Sequence, residues 1–167
     1  TKEADLVMTY KNPDGSDAGM CGNGARCFAN YAVTLGAPST FSFRVHDKIY
    51  RADTAKNSAI IHFPLNTEVN RVSLDDSDLL EVYTNTEHVV CPLSNESELA
   101  DENTLTQQGR TLRYHDNFQP SGTNVNFIYG TDTETVSLQT YERGVESLTH
   151  ACGTGAIASA LAWHYLQ

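Results

Sequence analysis

The sequence predicts an α+β fold of two pseudo-symmetric lobes, each a curved mixed sheet wrapped around one central helix. Three observations carry that expectation. The pentapeptide Cys21-Gly22-Asn23-Gly24-Ala25 returns 131 residues later as Cys152-Gly153-Thr154-Gly155-Ala156, and each copy opens an alanine-rich stretch that reads as a helix. Runs of alternating apolar and polar residues, the pattern of half-buried strands, fill the chain between the two copies. The helix after the second copy is apolar almost all round, which fits a helix enclosed by a curled sheet.

In the first half, Asp5 to Tyr10 reads as a strand with Leu6, Met8 and Tyr10 on one face, broken by the turn residues Asn12-Pro13-Asp14-Gly15. Gly22-Asn23-Gly24 leads into a helix in which Ala25, Phe28, Ala29, Ala32 and Val33 recur at helical spacing until Gly36 and Pro38 end it. Phe41 to His46 and Ile49 to Asp53 form an expected hairpin about Asp47-Lys48. Ala59 to Phe63 and Glu68 to Ser73 follow as strands. The acidic run Leu74-Asp75-Asp76-Ser77-Asp78 is the expected crossing, giving a first lobe of residues 1–74 and a second of residues 79–167.

The second half offers Leu79 to Thr84 and His88 to Leu93 as strands. The acidic segment Ser94 to Thr104 reads as a loop or short helix, and Arg110 to His115, Thr123 to Tyr129 and Thr135 to Tyr141 as further strands. The closing helix runs from Gly155 to Leu166 and includes Ile157, Leu161, Trp163 and Leu166.

Composition narrows the function classes. With 11 basic and 21 acidic residues the net charge is −10, which disfavours duplex nucleic acid and anionic membrane as partners. No run approaches the roughly 18 apolar residues of a membrane span, and the first residues lack a basic-then-apolar export pattern. A soluble cytoplasmic protein is the expectation. The four cysteines Cys21, Cys27, Cys91 and Cys152 contain no C-x-x-C pair and are expected as free thiols. No metal site is expected, because Cys21 and Cys27 point to nearly opposite sides of a helix.

The chemistry concentrates at the repeated motif. A cysteine at a helix start places sulfur beside backbone N–H groups that have no intrahelical acceptor, where the positive end of the helix dipole favours thiolate. The amides of Gly22-Asn23 and Gly153-Thr154 can grip a substrate carboxylate in the same way. Two such sites point to a pair of thiols facing one carbon, one removing a proton and the other returning it from the opposite side, with coupled titrations. The duplication extends upstream, since Asn12 lies nine residues before Cys21 and Arg143 nine before Cys152.

These stretches resemble a known family. Tyr10-Lys11-Asn12-Pro13-Asp14-Gly15-Ser16, running to Met20-Cys21-Gly22-Asn23-Gly24-Ala25-Arg26-Cys27, resembles the first signature of the diaminopimelate epimerases. Tyr141-Glu142-Arg143-Gly144, running to Ala151-Cys152-Gly153-Thr154-Gly155-Ala156, resembles the second, and Gly122-Thr123-Asn124-Val125-Asn126-Phe127 matches between them. The resemblance implies an epimerase-like fold and a cofactor-independent isomerase that interconverts LL- and meso-diaminopimelate, with Cys21 and Cys152 as base and acid. It further implies that Glu142 and His88 assist the thiols and that Asn12, Asn124 and Arg143 bind the substrate. The implied partner is a small amino-acid substrate, without nucleic acid, membrane or cofactor, and a homodimer is left open.

Two departures are visible. The family has Pro directly before the histidine, where Thr86-Glu87-His88 stands here. Members also carry an amino-terminal Gly-Asn-Asp-Phe segment and strands after the second helix, neither of which this sequence shows. Another two-thiol amino-acid racemase, or a shortened relative that is non-catalytic or redox-sensitive, are the alternatives.

Overall fold

A computed structural model describes residues 4–11, 15, 17, 19–64, 67–74 and 77–167. The chain divides into two compact units, Thr1–Asn66 and Thr67–Gln167.

In the first unit, strands β1 (Leu6–Val7), β2 (Thr40–Val45), β3 (Lys48–Ala55) and β4 (Ser58–His62) form a sheet in that order, and helix α1 (Gly22–Thr34) packs on it. The sheet is mixed, because β1 runs parallel to β2 while the other pairs are antiparallel. Strand β1 is shorter than the expected Asp5 to Tyr10. Its alternation persists beyond the ladder all the same: Met8 is buried, with Leu6 and Tyr10 partly buried beside it in the core under α1. Small residues Ala25, Ala29 and Ala32 form the inward stripe of α1, leaving room for aromatic side chains of the sheet. Phe28 meets Phe41 and Phe43, and Phe43 stacks on Tyr50 at 5.5 Å between ring centroids. The hairpin turn falls one residue earlier than expected: Val45 pairs with Lys48, and His46 takes up a positive φ of 50°.

The second unit holds β5 (Val69–Leu74), β6 (Ser77–Tyr83), β7 (Glu87–Pro92), β8 (Asn124–Gly130), β9 (Val136–Glu142) and β10 (Ser147–Thr149), ordered β10-β9-β8-β7-β6-β5. This sheet is also mixed, with β7 parallel to β8 and the other pairs antiparallel. Helix α2 (Glu102–Arg113) connects the parallel pair and covers one face, where Leu105 meets Leu79, Val89, Cys91, Val125, Phe127 and Tyr141. Helix α3 (Gly153–Leu166) covers the other face, with Ala158 and Ala162 over Leu80, Val82, Val90 and Ile128. Strand alternation therefore sorts neighbouring residues to opposite helices.

Two expectations are corrected. Val69–Leu74 belongs to the second sheet, where it pairs with β6, so the division falls at Asn66/Thr67 and not within 74–78. An acidic run between two alternating segments has the composition of a hairpin connection as much as of a linker. Arg110 to His115 lies largely within α2 and is not a strand. The Asp101 side chain caps that helix by accepting from the Thr104 amide, and Leu105, Gly109 and Leu112 form its inward stripe. Glycine at 109 is required by close approach, since a Cβ there would lie 2.6 Å from the Cβ of Tyr141. The residues Ser94 to Thr104 contain a short 3-10 turn, Glu96–Ala100, followed by the first turn of α2. Among the described residues no helix is long and apolar enough to cross a membrane.

Candidate functional site

Both motif cysteines sit at the same position of their helices, with the same local geometry. Cys21 is the N-cap of α1, with φ −112° and ψ 112°, and its Sγ accepts from the Gly24 amide at 3.3 Å. Cys152 is the N-cap of α3, with φ −125° and ψ 108°, and its Sγ accepts from the Gly155 amide at 3.4 Å. Extended backbone at the cap and a chalcogen acceptor for the third amide are what a serine or aspartate N-cap provides, here built from sulfur. Each thiol is half-buried, whereas Cys27 is exposed and Cys91 is buried. Burial pushes the Cys91 thiol up to about 12, which makes it chemically inert. All four cysteines are free, and among the described residues no group of three His, Cys, Asp or Glu is placed to hold a metal ion.

Around Cys21, Gly24 lies close to the Tyr10 ring, where a Cβ would come within 3.3 Å of Cε2. Asn23 is exposed and its Oδ1 accepts from Arg26 Nη2 at 2.9 Å, while Gly22 begins the helix beside it. Lys11 and Asp17 close the preceding loop through a 2.6 Å ion pair. Asn12, expected to bind substrate, lies outside the described residues.

Around Cys152 the sheet face under α3 changes character along the helix. Beneath Ala158 and Ala162 it is apolar; beneath the helix start it is polar, with Thr84, His88, Asn124, Asn126 and Thr140 all buried. Thr154 Oγ1 lies 3.6 Å from Cys152 Sγ, and the Thr154 carbonyl accepts from Thr84 Oγ1 at 3.3 Å. Gly153 is exposed at the first helical position. A Cβ at Gly155 would meet Asn126 Oδ1 at 2.4 Å, Thr140 Oγ1 at 3.1 Å and Cys152 Sγ at 3.2 Å. The second glycine of this motif is therefore there to bring the helix start down onto the polar floor.

Asn126 is the hub of that floor, fully buried on β8. Its Nδ2 donates to the Val89 carbonyl at 3.1 Å and lies 3.0 Å from His88 Nδ1, and its Oδ1 accepts from Thr140 Oγ1 at 2.9 Å. A carbonyl only accepts, so the amide nitrogen must face Val89, and His88 Nδ1 must then be the unprotonated acceptor. The ring proton resides on Nε2, 2.9 Å from Thr86 Oγ1, which accepts it. Burial, and then the nearby Arg143 charge, lower the His88 pKa from 6.5 to about 4. His88 is thus a neutral imidazole with both ring nitrogens engaged, joined through Asn126 to the residues beneath Cys152. Sequence reasoning picked out Asn124 and passed over Asn126. The signal was the spacing of two, which puts both asparagines on one face of a strand whose Val125 and Phe127 serve the other.

Asn124 joins two further residues: its Nδ2 donates to the Glu87 carbonyl at 2.9 Å and its Oδ1 accepts from the Arg143 amide at 2.9 Å. Arg143 Nη1 donates to the carbonyls of Ser121 and Gly122 and forms a 2.8 Å ion pair with Glu87 Oε2. Glu142 ends β9 and is half-buried; the register of Val125 opposite Tyr141 places it beside Asn124, on the face shared with Thr140. The second unit thus brings together Cys152, Gly153, Thr154, His88, Asn124, Glu142 and Arg143. The first unit separately presents Cys21, Gly22 and Asn23.

Residues 81–167 match the family model described as diaminopimelate epimerase. The chain is 36% identical over 166 residues to the diaminopimelate epimerase of Aquifex aeolicus, covering 95% of this chain and 58% of that protein. It is 34% identical to the diaminopimelate epimerase of Chlorobaculum tepidum, covering 96% of this chain and 63% of the relative. The chain therefore spans about three fifths of the length of these relatives. Among solved structures, the PhzF-family phenazine biosynthesis protein of Bacillus anthracis matches with a TM-score of 0.66 over 98% of this chain and 62% of that one. At 13% identity that likeness supports the fold alone.

Proposed function

The chain belongs to the diaminopimelate epimerase family, and on that footing we propose that it carries both acid/base thiols of a cofactor-independent epimerase acting on diaminopimelate. One cysteine, as thiolate, removes the α-hydrogen as a proton and becomes a thiol. The electron pair left on carbon is delocalised into the adjacent carboxylate, whose growing charge is met by the unpaired amides at the helix starts. The other cysteine, as thiol, donates its proton to the opposite face of the carbon and becomes thiolate. Configuration is inverted, no redox change occurs, and the next turnover runs in the reverse sense or follows proton exchange with water. Glu142 and the His88 network support the Cys152 side, and Asn12, Asn124 and Arg143 hold the substrate. The reaction belongs to the cytoplasmic synthesis of lysine and cell-wall precursor.

The single observation that supports this most is the matched sulfur cap: two half-buried thiols, each accepting from the third amide of its helix at 3.3 and 3.4 Å. Incubating the chain with meso-diaminopimelate in deuterium oxide, without pyridoxal phosphate, is expected to erase the α-hydrogen NMR signal at the reacting centre. Replacing both Cys21 and Cys152 by Ser is expected to stop that exchange. Exchange that continues in the double variant rules out the two-thiol mechanism.

A further inference from the structure

Helix α2 is drawn to one side of the sheet face it covers. Glycine at 109 lets it close on Tyr141, and the helix packs on β8, β9 and β10. Its far flank, with Gln108, Thr111 and Leu112, stands off from β6 and β7, and a cavity of about 560 Å³ remains there, wholly within the second unit. That volume lies in the range of small-molecule sites, roughly 300–1,000 Å³. Its floor is apolar: Leu79, Phe127 and the neutral thiol of Cys91, all on the α2 face of the sheet. His88 and Asn126 belong to the opposite face, beneath the start of α3, so the sheet separates this cavity from Cys152.

The rim selects the charge of an occupant. Among the described residues lining the cavity the charged groups are Asp78 and Glu98, both exposed, with no Lys or Arg beside them. Asp78 Oδ1 accepts from Ser73 Oγ at 2.9 Å and Glu98 Oε1 from the Asn95 amide at 2.7 Å, so each carboxylate keeps its second oxygen for a donor from outside. An ionised carboxylate only accepts, and an ammonium only donates. We propose that this cavity binds a small amine with an apolar body, whose hydrocarbon part lies on Leu79, Cys91 and Phe127 and whose ammonium meets Asp78 and Glu98. A dicarboxylate of the kind assigned to the thiols is repelled by that rim, so the two sites take different molecules. The contact is one of recognition, with no bond made or broken, and it does not depend on the reaction proposed for the cysteines.

Methyl NMR titration with two probes of similar shape tests it: 2-phenylethylammonium and 3-phenylpropanoate. The ammonium probe is expected to shift the methyl signals of Leu79, Leu93 and Leu112 and to leave those of Ala158 and Ala162, on the opposite face, in place. It is expected to bind about tenfold more tightly than the carboxylate probe, the worth of one charge-assisted hydrogen bond. Asp78→Asn combined with Glu98→Gln keeps acceptor oxygens for Ser73 and Asn95 and is expected to abolish that preference. Leu112→Trp, which fills the cavity, is expected to abolish binding of both probes. Equal binding of the two probes by the unaltered chain, or a preference that survives loss of both carboxylates, overturns the proposal. So does the absence of shifts at the cavity leucines, or binding that persists in Leu112→Trp with a dispersed, folded spectrum.

Discussion

Acidification is expected to destabilise the second unit through His88, by an amount its surroundings fix. The folded protein holds this imidazole neutral, with its pKa lowered from 6.5 to about 4 by burial and by the Arg143 charge. Between those values the unfolded chain binds the proton and the folded one does not, so stability rises with pH across the window. The contribution is fully present above 6.5, erodes as pH falls, and is gone below about 4. At about 1.4 kcal/mol per pKa unit, the gap is worth on the order of 3 kcal/mol. Urea unfolding followed by circular dichroism at about pH 7.5 and about pH 4.5 would expose most of it. In His88→Gln, which cannot titrate, the dependence on pH should flatten by that same amount. Equal pH dependence in the two proteins, or an imidazole NMR resonance of His88 that titrates near 6.5, would refute the neutral, Asn126-anchored ring.

Three further outcomes are expected. Gly155→Ala drives a methyl into Asn126 Oδ1 and should cost about 1–3 kcal/mol in urea unfolding, as overpacking does. Leu105→Ala removes the fully buried anchor of α2 and should lower stability by roughly 2–5 kcal/mol, measured by thermal unfolding. Iodoacetamide followed by mass spectrometry should label Cys21, Cys27 and Cys152 in the native protein and leave Cys91 unmodified until urea is added, because that thiol is buried and held near 12.

How much the sequence disclosed depended on whether a signal was local. The two thiol-capped helices were legible because everything that makes them is contiguous: Cys, a glycine on each side of one residue, then a stripe of alanines. Strand alternation was equally plain at Phe41, Phe43 and Val45, which are buried as their spacing implies. Helix α2 was misread because Leu105, Gly109 and Leu112 are spread among Thr, Gln and Arg, and a glycine does not announce itself as a packing residue without the Tyr141 ring opposite it. The place of Val69–Leu74 turned on which strand it pairs with, a non-local fact. At the site, His88 and Arg143 were implied by the family resemblance. Their actual partners, Asn126 and Glu87, were not, because polar satisfaction in a sheet runs across strands that lie 38 and 56 residues apart in the chain.

The sulfur caps carry a consequence for how the thiols can be probed. Sulfur is a weak, long-range acceptor, and helices generally prefer a hydroxyl or carboxylate oxygen at that position, with serine among the best. Exchanging Cys21 or Cys152 for Ser therefore swaps a poor helix initiator for a good one while removing one of the two thiols to which the proposed proton transfer is assigned. Such a variant should melt no lower than its parent, so that any silence it shows in an isotope-exchange experiment speaks of chemistry and leaves folding out of the matter.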